Sequence, residues 1–284
     1  MPELPEVEVL VRYLQPLLQN RTITSVQVRR ARVIRPTSVR TFSQVLKGSR
    51  LESVARRGKY LLFRIHPKGT SGMRVLIGHL GMTGRMYLLP RNGRLPKHAA
   101  VVLGLGEEQF IFEDTRYFGR LTLDPDAAKS LGPEPLGEEF TVVGFSEGLA
   151  RSSQAIKVKL LDQALVAGIG NIYASEALFR ARISPRIQAR RLSKLKVQSL
   201  WKAIRETLAS AIEFGSTVPL DYAGVGNRTG LFYYGTVPQD SGRFEERLQV
   251  YDREGQACPR CGAKIRRIVQ AARSTFYCPN CQRS

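Results

Sequence analysis

All four cysteines of this 284-residue chain lie in its last 27 residues, and their spacing restricts what that end of the chain can become. They read Cys258-Pro259-Arg260-Cys261, then 16 residues, then Cys278-Pro279-Asn280-Cys281. Two CxxC knuckles at this separation are a four-thiolate ligand set for one tetrahedral zinc ion. Two disulfides are the alternative, and they belong to an oxidising compartment. No positively charged leader followed by an apolar run opens the chain, so the expected setting is the reducing cytoplasm. Four thiolates leave no open coordination position, so the expected zinc is structural. Arg273-Ser274-Thr275-Phe276-Tyr277 falls between the knuckles, where a ribbon forms its hairpin. From Tyr251 to Ser284 the net charge is +5.

Charge narrows the class of partner. The chain carries 44 Lys and Arg against 24 Asp and Glu, with a pI near 10.3. So large a cationic surplus repels itself, and a polyanion, most simply nucleic acid, is the natural counterpart. No apolar run approaches the roughly 18 residues of a membrane span, and no basic amphipathic helix with a large aromatic face suggests a membrane surface. The length allows two domains, each with its own core.

Along the chain, Leu4, Val7, Val11, Leu14 and Leu18 recur at helical spacing behind Pro5, with Glu6 and Glu8 in the opening turn. Residues 22–124 then read as short strands punctuated by Gly, Pro and Asn, a pattern for a sandwich or barrel rather than parallel βαβ units. Examples are Thr22–Val28, Tyr60–Ile65, Met73–Ile77 and Gln109–Phe112, with a short helix around Phe42–Leu46. Residues 132–140 break both periods and read as a linker. Beyond it the spacing predicts a helix marked by Ile156, Leu160, Leu161, Ala164 and Leu165, and a second begun by Ile172, Ala174, Ala177 and Leu178. Gly168-Ile169-Gly170-Asn171 separates them. A third helix runs from a Ser193 cap towards Phe214. Two helices joined by a tight Gly-containing turn serve DNA binding, and also join any two helices. Residues 215–245 carry six Gly and two Pro without period, as a functional loop or a disordered stretch would.

The opening Pro2-Glu3 pair is a candidate for chemistry. A small residue after the initiator is the usual condition for removing Met1, which would expose a secondary amine. An α-amino group titrates near ~7.7–8.0, so much of it is nucleophilic at neutral pH. Its adduct with a sugar carbon is an iminium that cannot neutralise itself by losing an N–H, and such an electron sink suits elimination. Glu3 would then move the protons. The plainer reading is an ordinary helix opening.

Several motifs decide between them. These are Pro2-Glu3-Leu4-Pro5-Glu6-Val7-Glu8, Lys59-Tyr60-Leu61-Leu62, His79-Leu80-Gly81-Met82-Thr83-Gly84, Asp114-Thr115-Arg116-Tyr117-Phe118-Gly119, Gly170-Asn171-Ile172-Tyr173-Ala174-Ser175-Glu176, and the knuckles with Arg273 between them. Together, in this order and over nearly the whole chain, they resemble the formamidopyrimidine-DNA glycosylases, bifunctional base-excision repair enzymes of bacteria.

The resemblance implies an α+β fold of two domains. An N-terminal antiparallel β-sandwich with an N-terminal helix would occupy residues 1–131, followed by the linker at 132–140. A helical helix-two-turn-helix DNA-binding domain would span 141–246, with a lesion-capping loop at about 217–244, and the zinc finger 247–284. It further implies that Pro2 is the nucleophile, Glu3 the acid-base group, Lys59 a residue of lesion engagement and β-elimination, and Arg273 the finger arginine at the phosphate. Asn171 corresponds to a phosphate ligand, and Lys157, His79, His98 and Tyr251 to positions near the DNA backbone. Met82, Arg116 and Phe118 correspond to the trio that fills the space left by a flipped nucleotide. The expected partner is duplex DNA with oxidised bases or abasic sites, bound by a monomer without obligate protein partners.

Departures are visible too. Thr115 and Tyr117 replace the Pro and second Arg of the family's Asp-Pro-Arg-Arg-Phe-Gly. Arg151-Ser152-Ser153-Gln154 replaces a lysine-rich lead-in. Two rivals stand at this point. One is the sister group acting on oxidised pyrimidines, against which Leu4 argues because that group tends to have Gly there. The other is a non-catalytic zinc-ribbon DNA-binding protein, which would have no use for a free Pro2 amine.

Overall fold

The computed structural model describes residues 2–214 and 248–283. The expected loop at about 217–244 lies outside the described residues. The described residues divide into two compact units. One comprises Pro2 and Glu6–Lys129, the other Glu3–Pro5, 130–214 and 248–283.

In the first unit, helix α1 (Leu4–Leu18, its first two residues counted with the second unit) precedes a short strand β1 (Ser25–Val28) and helix α2 (Val39–Leu46). Ser38 caps α2 by accepting from Thr41 N at 3.1 Å, the usual way a hydroxyl satisfies an orphan N–H. Strands β2 (Arg50–Arg57), β3 (Tyr60–His66), β4 (Arg74–His79), β5 (Gly84–Pro90), β6 (Ala99–Leu105), β7 (Glu108–Asp114) and β8 (Arg120–Thr122) follow. They form two four-stranded antiparallel sheets, ordered β1-β6-β7-β5 and β2-β3-β4-β8.

Alternation explains the layering. In β3, Leu61, Phe63 and Ile65 are buried while Leu62 and Arg64 between them are not, a period of two with one face inward. Phe63 meets Phe110 of the other sheet edge-to-face, with centroids 5.7 Å apart. Val7, Leu10, Leu14 and Leu18 of α1 join the same core. Strand β6 is buried almost continuously because a smaller cluster of Tyr87, Val102 and Ile111 covers its other face. The sandwich expected from the strand pattern is the observed architecture.

The second unit is built on helices α3 (Val142–Ala150), α4 (Ile156–Lys159), α5 (Asn171–Arg180) and α6 (Lys194–Glu213). Leu178, Leu200, Ile204 and Leu208 lie in its core with Leu4. Ser193 caps α6 by accepting from Lys196 N at 3.4 Å. Residues 132–140 contain no helix or strand but are held to the unit. Arg205 donates to the carbonyls of Pro135 and Gly137, and Trp201 Nε1 to that of Phe140 at 2.7 Å.

The helix expected across 156–165 is corrected: α4 is a single turn ending at Lys159. After Leu160 the backbone bonds tighten to the i→i+3 pattern, Leu161 N to Val158 O at 3.1 Å and Asp162 N to Lys159 O at 3.2 Å. The Asp162 carboxylate then accepts from Ala164 N at 3.0 Å and from Lys159 Nζ at 2.7 Å, and an Asx-type turn of this kind competes with any further helix. The chain closes with an antiparallel hairpin of β9 (Arg266–Gln270) and β10 (Arg273–Tyr277). Ala271 and Ala272 form its turn at φ of 47° and 57°. That is the primed turn a two-residue hairpin needs, made here from residues that adopt it at a cost.

Among the described residues no helix is long and apolar enough to cross a membrane.

Candidate active site and zinc centre

Glu3 stands at the start of α5. Its Oε2 accepts from Gly170 N at 2.7 Å and Tyr173 N at 3.4 Å, and its Oε1 from Ile172 N at 2.9 Å. These are the N–H groups that a helix leaves without internal partners, and the helix dipole adds to their attraction for negative charge. Glu3 thus caps a helix 167 residues away in sequence, with a side chain 1% exposed. Two glycines make room. A Cβ on Gly170 would fall 2.3 Å from Glu3 Cδ, and one on Gly168, which sits at φ +85°, 2.6 Å from Leu4 Cβ. Leu4 N in turn donates to Gly168 O at 3.0 Å. Pro2, also buried, precedes this carboxylate directly in the chain.

Asn171, the first residue of α5, joins three elements. Its Oδ1 accepts from Lys157 Nζ on α4 at 2.6 Å, and its Nδ2 donates to Ser274 O on β10 at 2.8 Å. Its side chain also hydrogen-bonds Tyr251, whose pKa burial pushes up and this bond pulls down. Lys157 is wholly buried. Burial lowers its pKa to about 8; the Glu3 carboxylate opposes that shift and the Arg273 guanidinium adds to it. Arg273, exposed, begins β10 one residue before Ser274. Glu3, Lys157, Asn171, Tyr251 and Arg273 therefore gather at one end of α5.

The four cysteines meet the geometry of a zinc site. Their sulfurs all lie within 4.8 Å of one another, with Cys258–Cys281 at 3.8 Å and Cys261–Cys278 at 3.5 Å. Sulfurs about 2.3 Å from a tetrahedral zinc stand about 3.8 Å apart. Arg260 N and Cys281 N point at Cys258 Sγ and Cys278 Sγ, each at 3.4 Å, and N–H groups so placed favour thiolates. Cys258, Cys261, Cys278 and Cys281 would hold the ion, which supplies folding of the hairpin that carries Arg273.

In the sheet unit, Lys59 occupies the two-residue turn joining β2 to β3 and is 7% exposed. His79 ends β4, paired across the ladder with Tyr60, and its ring lies 4.8 Å from the Tyr60 ring. Burial, with the charges of Lys59 and Arg120, lowers the His79 pKa to about 4. Its Nδ1 accepts from Gly81 N at 3.1 Å, so the neutral ring carries its proton on Nε2.

A pH dependence follows. Between pH 6.5 and 4 the unfolded chain binds a proton at His79 that the folded chain does not, so stability is full above the upper value and is lost as pH falls. The loss is at most about 3 kcal/mol, from a shift worth 1.36 kcal/mol per unit. Urea unfolding across this range should show a steeper acid loss in the wild type than in His79→Gln; equal slopes would refute the assignment.

Met82 and Phe118 are each 45% exposed, and Arg116 joins them. Its guanidinium carbon lies 4.7 Å from the Phe118 ring centroid and its Nη1 3.4 Å from Met82 Sδ. His98 Nδ1 lies 3.3 Å from the Tyr117 hydroxyl.

Two carboxylates that hold these groups stand inside the sequence motifs, where no role was assigned to them. Asp114, fully buried, accepts from Thr83 Oγ1 at 2.5 Å, Arg116 N at 3.1 Å and Gly119 N at 2.7 Å, joining the loops of Met82 and Phe118. Glu176 on α5 accepts from Gln249, Val250 and Tyr251 N at 2.9, 2.9 and 2.8 Å. Burial pushes its pKa up, against the pull of those three N–H groups. Glu176→Gln keeps one accepting oxygen and turns an NH2 towards a buried donor. It should cost about 1–3 kcal/mol, the penalty of a buried unsatisfied group, read as a lower Tm in calorimetry.

An antiparallel sandwich, a helical unit with a carboxylate seated on a helix N-terminus, and a four-cysteine finger define an α+β protein of the helix-two-turn-helix, zinc-finger type. Family models match in the same order: the formamidopyrimidine-DNA glycosylase N-terminal domain over residues 1–121, that family's H2TH domain over 131–220, and the zinc finger found in FPG and IleRS over 255–283. The formamidopyrimidine-DNA glycosylase of Carboxydothermus hydrogenoformans is 38% identical over all of both chains. That of Thermus thermophilus is 40% identical, over 99% of this chain and 98% of its own.

Solved structures agree. Lactococcus lactis Fpg (MutM) with Fapy-dG-containing DNA has a TM-score of 0.86 and 34% identity, covering 99% of this chain and 100% of that one. MutM with carbocyclic 8-oxo-G-containing DNA has a TM-score of 0.85 and 34% identity over all of both chains. The chain belongs to the formamidopyrimidine-DNA glycosylase family.

Proposed function

We propose that the chain removes oxidised purines, 8-oxoguanine and formamidopyrimidines, from duplex DNA and then cleaves the abasic strand. The observation that carries this reading is Glu3, held by three N–H groups at the head of α5 and next in the chain to Pro2. With Met1 removed, the Pro2 amine attacks C1′ and the bond to the base breaks. The sugar ring opens to an iminium as Glu3 exchanges protons with the deoxyribose. Loss of a C2′ proton expels the 3′ phosphate in β-elimination, and a second elimination expels the 5′ phosphate, leaving a one-nucleoside gap.

Lys59 serves lesion engagement and β-elimination. Arg273, borne on the zinc-held hairpin, grips the phosphate beside the lesion by bidentate contact. Asn171 is a second phosphate ligand, its amide oriented by Lys157 and Ser274. His79 with its proton on Nε2, His98 and Tyr251 approach the DNA backbone. Met82, Arg116 and Phe118 fill the space of the flipped nucleotide, recovering part of the few kcal/mol that unstacking costs.

The experiment pairs two comparisons. Incision of an 8-oxoguanine duplex should exceed that of a thymine glycol duplex, and acetylating or extending the N-terminus should abolish incision while DNA binding survives. Preference for thymine glycol would move the substrate to oxidised pyrimidines. Retained incision on a blocked N-terminus would remove Pro2 from the chemistry.

A further inference from the structure

Tyr117, where the chain departs from the family's arginine, is an aromatic residue with φ of 53°. Left-handed backbone is strained for a bulky side chain and persists where surrounding contacts impose it, often at functional loops. Here the contacts are identifiable. The hydroxyl lies 3.3 Å from His98 Nδ1, the Arg30 guanidinium carbon 5.3 Å from the ring centroid, and the ring packs against the sandwich core. The residues on either side, Arg116 and Phe118, are exposed and lie against each other. Asp114 holds the loop at Arg116 N and Gly119 N, and Tyr117 holds its middle.

We propose that Tyr117 is a positioning residue for recognition of the base opposite the lesion. Anchored through His98 and Arg30, its left-handed turn sets the Arg116–Phe118 pair at the spacing from which Arg116 meets the orphaned base. The proposal rests on the reading that Met82, Arg116 and Phe118 enter the duplex and that the donor-only Arg116 guanidinium meets the acceptors of the orphaned base, cytosine offering O2 and N3 side by side. When the Tyr117 hydroxyl donates to Nδ1, His98 keeps its proton on Nε2, a donor suited to a phosphate oxygen. One phenol would then link the backbone grip to the base reader. A residue serving the turn alone would not need this hydroxyl, since Asn or Gly adopts positive φ with less strain.

The test measures kcat and KM for incision of single-lesion duplexes with C, T, G or A opposite 8-oxoguanine. It compares the wild type with Tyr117→Phe, which removes only the hydroxyl, and Tyr117→Asn, which keeps the turn and removes the ring. Cytosine should be preferred by the wild type. The C-over-A ratio of kcat/KM should fall about 5–10-fold in Tyr117→Phe and further in Tyr117→Asn, as one to two hydrogen-bond equivalents are lost. The change should lie in KM, with single-turnover rates at saturation within about twofold. A ratio unchanged in both variants overturns the proposal. So does a uniform fall in incision on all four duplexes with a lower Tm, the mark of a purely structural role. Failure of the parent reading is distinguishable, because the wild type itself would then incise all four duplexes without preference among the opposing bases.

Discussion

Replacing Glu3 with Gln is expected to lower strand incision by about 10²–10⁴-fold, the range a positioned general acid-base group contributes, while duplex binding is largely kept. The geometry explains why the amide cannot substitute. Three N–H donors converge on the two carboxylate oxygens. A glutamine offers one oxygen, must set its NH2 against a donor, and carries no charge to move a proton from the sugar. Gly170→Ala should reproduce the loss without touching Glu3, because the added methyl would lie 2.3 Å from the Glu3 Cδ and displace the carboxylate from its seat. The paired variants separate chemistry from folding. Both should remain folded, with Tm lowered by no more than about 10 °C, since each removes about 1–3 kcal/mol of hydrogen bonding and packing at roughly 2–4 °C per kcal/mol. Measured by single-turnover cleavage, near-normal incision in both would remove Glu3 from the mechanism.

Loss of the zinc should have the second large effect. Among the described residues, the apolar cluster around the finger comprises Phe179, Val250, Cys258, Ile265, Phe276 and Cys278, with Tyr251, Ala263 and Cys281 packed against it, too few to fold a hairpin without the metal. Structural zinc contributes roughly 10–16 kcal/mol of apparent binding free energy to comparable small modules, so chelation should melt the finger. Ser274 then leaves the Asn171 amide, and Arg273 leaves its place beside it. Affinity for an abasic duplex should fall about 10–100-fold, the equivalent of one or two charge-assisted hydrogen bonds. Far-ultraviolet signal from the sandwich should persist, and added Zn²⁺ should restore binding. Cys261→Ser should show the same loss without rescue. Unchanged affinity after verified removal of the metal would contradict the assignment of Arg273 to the phosphate.

What the sequence disclosed and what it withheld divide along a physical line. Features governed by local chemistry were legible: the cysteine spacing, the period-two strands such as Leu61–Ile65, and the Ser193 cap. Features made by contacts between distant segments were not. Nothing near Glu3 announces that it caps a helix 167 residues on, and nothing in Ala174-Ser175-Glu176 distinguishes a buried carboxylate clamp from an exposed helical glutamate. The helix expected across 156–165 failed for a related reason. Its apolar spacing is helical, but after Lys159 the backbone tightens to i→i+3 bonds and the Asp162 side chain takes the N–H of Ala164, so no second turn forms. Asp114 was read as part of a motif, yet its work is to join two loops through three hydrogen bonds.

The measurement that tests the account most directly is borohydride trapping on a duplex with a single 8-oxoguanine opposite cytosine, followed by mapping of the DNA-linked peptide. The account predicts a covalent adduct on the nitrogen of Pro2 in a chain lacking Met1. An adduct on Lys59 or Lys157, or tight binding with no adduct on this or an abasic duplex, would contradict it.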